Sequence, residues 1–325
     1  MNIIPFLLYL AVLILIVHSV LTKLNISMIE TPKLKNIHEY SFIDNYFYDN
    51  YIDINKSNKK KIFVHIPKQL NERNWSSFND RSSKRLNMDL CILCIKSLLY
   101  HCSRNYDIVL YTNDDVKNLI EENNENDLVY IKDPNQLSGI DLMQWESYCK
   151  AKLLYQYGGV VMEPYFFFFK QPPSNILNPS KLTILRNANE GLNVSEKSLI
   201  PNTNYLLSSN KKNNDLKIYL KYLEYNCTHL YSSNKVFDKS GDFLYNLNYY
   251  DPKLMGIVDD MNNIVESRDL LSKNEIILNQ ETFCLFVNIP FFQKYTQYGY
   301  LLKMNEQQII NGNFFLGEFI RLHSS

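Results

Sequence analysis

Glu163 stands directly after an apolar run, Val160-Val161-Met162, and His65 sits inside another, Ile62-Phe63-Val64-His65-Ile66. A carboxylate or an imidazole at the end of a buried strand is placed where it can hold a metal or move a proton. The commoner outcome is plainer: a strand-end histidine satisfied within the core, and a carboxylate on a loop. Cys91-Ile92-Leu93-Cys94 has the spacing of half a zinc site, but no second Cys or His pair completes four ligands. Buried thiols are therefore expected at Cys91, Cys94 and Cys102. The sequence contains no G-x-x-x-x-G-K-[ST], no G-x-G-x-x-G and no convincing Ser/His/Asp set. Phosphate loops, dinucleotide fingerprints and serine hydrolases are thereby disfavoured.

The elements that must position these residues alternate. Ile62–Ile66 reads as a strand stopped by Pro67, and Leu86–Cys102 as a buried helix. Ile108–Tyr111 reads as a second strand, followed by Asn113-Asp114-Asp115 as a loop and helix cap before Val116–Ile120. Leu142, Trp145, Cys149 and Leu153 share one face of a helix that runs to Tyr157 and stops at Gly158-Gly159. Val160–Met162 is the third strand. Asp215–Tyr225 is amphipathic, with Leu216, Leu220 and Leu223 inward. Residues 226–280 give no assignable pattern, and Glu306–Ile320 reads as helical around Gly312. Strand, helix, strand, helix predicts an α/β domain.

Composition bounds the class. In 325 residues, 46% are hydrophobic and 14% aromatic, so a large core is available and general disorder is excluded. Lys plus Arg and Asp plus Glu number 34 each, with no basic stripe in the sequence, and nucleic acid is not an expected partner. Six scattered cysteines do not make a disulfide framework. Sequons begin at Asn25, Asn55, Asn74, Asn193 and Asn226, as chance supplies in an Asn-rich chain.

Ile3–Leu21 carries no charge and as a helix spans about 28 Å, close to the hydrocarbon thickness of a bilayer. Its length and the missing basic leader favour a transmembrane anchor over a cleaved signal peptide ending near Val17-His18-Ser19. Lys23, Lys33 and Lys35 follow it, which by the positive-inside rule points to a cytosolic domain. The expected organisation is an anchor over 1–23, a linker or stalk over 24–60 and one α/β domain over 61–325.

The stretch from Ser147 to Lys170, SYCKAKLLYQYGGVVMEPYFFFFK, resembles a segment of glycosyltransferases related to the yeast mannosyltransferase Och1, the DXD sugar-transferase group. There the pattern looks like Asp-x-x-Arg-x-x-x-Leu-Tyr-x-x-Gly-Gly-x-Tyr-x-Asp-x-Asp. Lys61–His65, Ile108–Asp115 and Asn202–Tyr225 are similar to further segments in the same order, so the likeness covers about half the chain. His65-Ile66-Pro67, Arg73–Phe78 and Arg81-Ser82-Ser83 resemble membrane-anchored proteins of giant DNA viruses that look like a divergent branch of the group.

The resemblance implies a GT-A-like fold, mainly parallel and flanked by helices, that takes a nucleotide-sugar donor and a glycan acceptor as a hexosyltransferase. It places His65, Asp114, Ser147, Lys150, Gly158 and Gly159 at the donor site, with Glu163 as metal ligand or base for Mn or Mg. Several positions depart from the pattern. Glu163 replaces the first Asp and Tyr165 the second, Ser147 replaces the upstream Asp with Glu146 adjacent, and Lys150 replaces the Arg. A leaving diphosphate needs its charge offset, and one carboxylate leaves a divalent cation mostly to water and substrate. The competing reading is a catalytically inactive membrane-anchored protein that binds glycan or protein on the same fold. The aromatics from Tyr165 to Phe169 are read as a buried strand or a protein contact before a sugar platform.

Overall fold

The fold is described from a computed structural model. It describes residues 57–67, 89–120, 133–137, 139–173, 181–190, 197–228 and 247–323, together with 43, 46, 47, 54, 176 and 177. The apolar segment Ile3–Leu21, the Arg73–Ser83 likeness and the start of the helix expected at Leu86 lie outside them. Among the described residues no helix is long and apolar enough to cross a membrane.

In chain order the elements are β1 (Lys60–His65), α1 (Asp89–Cys102), β2 (Tyr106–Tyr111), α2 (Val116–Leu119), α3 (Gly139–Tyr157), β3 (Gly159–Met162) and β4 (Phe166–Phe168). There follow β5 (Thr183–Ala188), β6 (Leu199–Ser209), α4 (Asn214–Thr228), β7 (Asn248–Tyr249), β8 (Cys284–Phe286), α5 (Ile289–Lys294), α6 (Glu306–Ile310) and α7 (Phe315–His323). A six-stranded sheet has the order β2-β1-β3-β6-β5-β7, and β4 pairs with β8 in a second, antiparallel ribbon. β1 is parallel to both β2 and β3, while β6 runs against β3 and β5. Since β5 and β7 are parallel to each other, every strand of the large sheet except β6 points the same way. The α/β fold with neighbouring strands at Ile62, Ile108 and Val160 is as the sequence pattern predicts.

Strand alternation divides the core. Ile62, Val64, Ile108, Leu110, Val160 and Met162 pack on one face with α1 and the β4–β8 ribbon. Phe63, Val109, Tyr111, Val161 and Leu207 pack on the other with α3 and α4. Cys91, Cys94 and Cys102 are buried in α1, and burial raises the Cys94 and Cys102 thiols above their ordinary range. Phe166–Phe168 is buried against β8, so this aromatic run is core and not a sugar platform.

Two expectations change. Ile43 and Ile54 are buried and Phe47 bridges Leu110, so part of the stretch read as linker over 24–60 belongs to the folded unit. Apolar side chains inside a polar stretch join the core, Ile43 on the α1 face of the sheet and Ile54 on the α3 face. The helix expected across Glu306–Ile320 is two, broken between Ile310 and Phe315, where Gly312 lies against the Phe314 ring. Of the stretch 226–280, which gave no assignable pattern, the described part 247–280 is largely irregular because its short apolar runs plug the core from loops, as Met255, Ile257 and Leu270 do.

Gly158 and Gly159 join α3 to β3 with φ of +69° and +96°. A Cβ on Gly158 would sit 2.7 Å from the Lys211 nitrogen, and one on Gly159 would collide with the Lys61 carbonyl oxygen. The pair is therefore needed for a left-handed turn and for close approach of β3 to β1. Gly159→Ala is expected to destabilise the chain by about 2 kcal/mol or more, from the backbone cost plus the clash. Urea denaturation checks this; a change within about 0.5 kcal/mol, the size of a neutral surface substitution, would contradict it.

Candidate functional site

The register brings the site together. Val64 pairs with Met162 and His65 with Tyr111, so the next residue of β3, Glu163, lies beside His65 at the carboxyl ends of the parallel strands. Alternation then turns His65 and Glu163 toward the face covered by α3, from which Lys150 reaches in.

Five side chains form a continuous chain of contacts. His65 Nδ1 lies 2.8 Å from Glu163 Oε1, and Lys150 Nζ lies 2.5 Å from the same oxygen. His65 Nε2 lies 2.7 Å from Asn113 Oδ1, and Asn113 Nδ2 donates to Glu146 Oε1 at 2.8 Å. Lys150 also donates to the Asn204 carbonyl at 2.9 Å. His65, Asn113, Lys150 and Glu163 are all buried, whereas Glu146 is half-buried at the outer end. The Glu163 backbone is fixed too: its N–H donates to the Tyr205 carbonyl, and its carbonyl accepts from the Tyr165 N–H.

Burial by itself would push the Glu163 carboxyl up. The Lys150 ammonium and then His65 outweigh it and hold the group at about 2. Tyr165, where the family resemblance would place a second carboxylate, is buried and meets the Tyr205 ring edge-on at 5.7 Å between centroids. Burial raises its hydroxyl, with Glu163 adding to the effect.

The predicted site residues separate into three groups. His65, Lys150 and Glu163 meet directly. Ser147 is nearby, donating to the Met143 carbonyl at 2.8 Å and to Asn204 Oδ1 at 3.1 Å. Asp114 is exposed on the turn after β2, next to Asn113. Gly158 and Gly159 are at the other end of β3, about 13 Å from Glu163 at strand rise, so they shape the α3–β3 turn and do not reach the site. Asn113 and Asn204 complete the network without having been predicted, and Glu146, noted from the sequence only as adjacent to Ser147, joins it. One signal for Glu146 was available, since it precedes Lys150 by one helical turn on α3.

A divalent cation fits these residues poorly. Glu163 Oε1 already faces an ammonium and an imidazole, and a metal there would meet the Lys150 ammonium, of its own sign, or have to displace it. Among the described residues no group of three or more His, Cys, Asp and Glu could hold a metal ion. Nor is Glu163 presented as a base, because its side chain is only 6% exposed and its oxygen is held by two donors.

No protein-family model matches the chain, and no curated protein matches it. Among solved structures it is similar to the PaToxG glycosyltransferase, at 11% identity and a TM-score of 0.29, over 57% of this chain and 67% of that one.

Proposed function

We propose that the chain is a divergent glycosyltransferase-like protein that has given up metal-dependent sugar transfer and retains the cleft for a ligand of the nucleotide-sugar class. One observation carries this reading: the Glu163 carboxylate, which the family resemblance assigns to the metal, is taken by Lys150 and His65. A carboxylate so paired already has its counter-ion in the Lys150 ammonium. The place of the cluster supports a ligand cleft, because it lies at the carboxyl ends of β1 and β3, where the direction of the sheet changes at β6. Open α/β sheets bind ligands at such a point. Half-buried Glu146, Ser147, Asn202, Thr203 and Asn204 give this rim a set of acceptors and donors suited to hydroxyl groups.

The test is a panel of nucleotide-sugar donors, with and without Mn²⁺, applied to the wild type, Glu163→Gln and Tyr165→Asp. The wild type is expected to bind at least one donor independently of Mn²⁺ and to show no metal-stimulated hydrolysis or transfer. Tyr165→Asp, which adds a second carboxylate, is expected to gain no Mn²⁺-dependent donor binding while Lys150 and His65 still hold Glu163. Brisk Mn²⁺-dependent turnover by the wild type, lost in Glu163→Gln, would overturn the proposal.

A further inference from the structure

β5 carries one charged side chain, Arg186, which the site described above does not use. It is half-buried. Its guanidinium carbon lies 3.8 Å from the centre of the Tyr249 ring on β7, and no hydrogen bond or ion pair holds it among the described residues. Its Nε is sealed from solvent and meets no acceptor. A guanidinium offers five N–H donors in a planar fork that matches the oxygens of a phosphate or carboxylate. Here stacking on Tyr249 holds the plane, and no protein carboxylate takes the fork. Asp251, two residues beyond Tyr249, does not do so: its Oδ1 accepts from the Lys253 N–H at 2.9 Å.

Strand register brings Arg186 to the cleft. Val161 pairs with Leu207 and Leu207 with Ile184, and all three pack on the face covered by α3 and α4. Glu163 and Arg186 each stand two residues further on, so alternation turns both toward that face at one level, two strands apart and on the order of 10 Å. Tyr249, paired with Ile184, is partly buried against the same face. Between them β6 leaves its pairing with β5: Ile184 pairs with Leu207 but Leu185 with Asn202, so residues 203–206 have no partners on β5. From this stretch Thr203 Oγ1 accepts from the Tyr219 hydroxyl at 3.0 Å, and the Asn204 carbonyl accepts from Lys150. The cations around the cleft differ in what they are free to bind. Lys150 is committed to Glu163, and Lys197 and Arg268 to Glu266, whereas Arg186 has no carboxylate among the described residues.

We infer that Arg186 is a phosphate-binding residue of the cleft, taking the phosphoryl oxygens of a diphosphate ligand on a guanidinium that Tyr249 holds flat. A half-buried cation without a carboxylate has given up part of its hydration, and an oxyanion returns that loss in charge-assisted hydrogen bonds. The choice of phosphate rests on the nucleotide-sugar reading, whereas the unpaired guanidinium stands without it.

The experiment titrates the full chain by calorimetry with pyrophosphate and, separately, with uridine, guanosine and adenosine diphosphates. Pyrophosphate is expected to bind the wild type, and Arg186→Met to weaken it by about tenfold or more, the scale of a lost hydrogen bond to a charged group. Arg186→Lys, which keeps the charge and loses the fork, should fall between the two. The urea midpoint of Arg186→Met should be unchanged or higher, because an unpaired cation is removed; a lower midpoint with unchanged binding would mean that the Tyr249 stack is structural only, and would overturn the inference. If the variants do not fold, phenylglyoxal labelling of the wild type, read by mass spectrometry, decides. Pyrophosphate should abolish labelling at Arg186 and leave Arg104, Arg268 and Arg321 unchanged. Labelling of Arg186 unaffected by pyrophosphate would overturn the inference. Pyrophosphate binding through Arg186 without affinity for any nucleoside diphosphate would keep it as a phosphate site and remove the nucleotide-sugar reading. Nucleotide-sugar binding untouched by Arg186→Met would do the reverse.

Discussion

Lys150→Met should destabilise the folded chain by about 3 to 5 kcal/mol, the usual cost of removing one partner from a buried ion pair. Methionine conserves most of the volume, so packing around the buried side chain at position 150 is largely preserved and the loss is electrostatic. Glu163 is left with His65 alone, and the Asn204 carbonyl loses its donor. The carboxyl should rise from its value of about 2, because burial is then opposed by one group in place of two. Glu163→Gln should relieve part of this. The double variant should be less destabilised than the two single losses summed, with a coupling of about 1 to 3 kcal/mol between residues in contact. Urea denaturation of the four proteins measures the cycle. Strict additivity would mean that the pair contributes nothing to the folded state.

The fold was legible where periodicity and punctuation agree. Ile62–Ile66 ends at Pro67, and the helix through Trp145, Cys149 and Leu153 ends at Gly158-Gly159, so both boundaries follow from residues that cannot continue the element. The site was legible in its members and not in its contacts. His65, Lys150 and Glu163 could each be singled out, but their meeting depends on β1 lying between β2 and β3 in one particular register. A one-residue slip would turn Glu163 to the α1 face. Asn113 was hidden for the same reason: its amide matters only because β2 ends level with His65. Gly158 and Gly159 illustrate the converse. A motif position that looks like part of a ligand site is held by backbone geometry at the far end of the strand.

Acidification should unfold the chain in two windows, and both have the same sign. Glu163 is held below its ordinary value of 4.5, at about 2, so between these values the unfolded chain binds the proton and the folded one does not. Its contribution, about 3 kcal/mol at neutral pH, is fully present above 4.5 and is lost as pH falls toward 2. His101, at the end of α1, is lowered from 6.5 to about 4 by burial and by His323 of α7. His323 is itself lowered by burial and by Lys170, and its ring lies against Phe169 and Phe319 with centroids 4.9 and 4.4 Å away. Both histidines are held neutral in the folded chain, so stability falls as pH drops below 6.5, and the His101 part of the loss runs down to about 4. Protonation would set His101, His323 and Lys170 against one another where α7 meets the end of α1. Amide exchange over residues 315–323 should therefore quicken between pH 6.5 and 4, before the rest of the fold is affected. His101→Phe and His323→Phe should each narrow that upper window and leave the lower one, below 4.5, in place. Lys150→Met should do the reverse, moving the lower limb toward neutral pH while α7 keeps its own response. A wild type whose stability is flat from pH 7 to 3 would contradict both assignments, and variants that shift the wrong limb would show that the two clusters are coupled through the core.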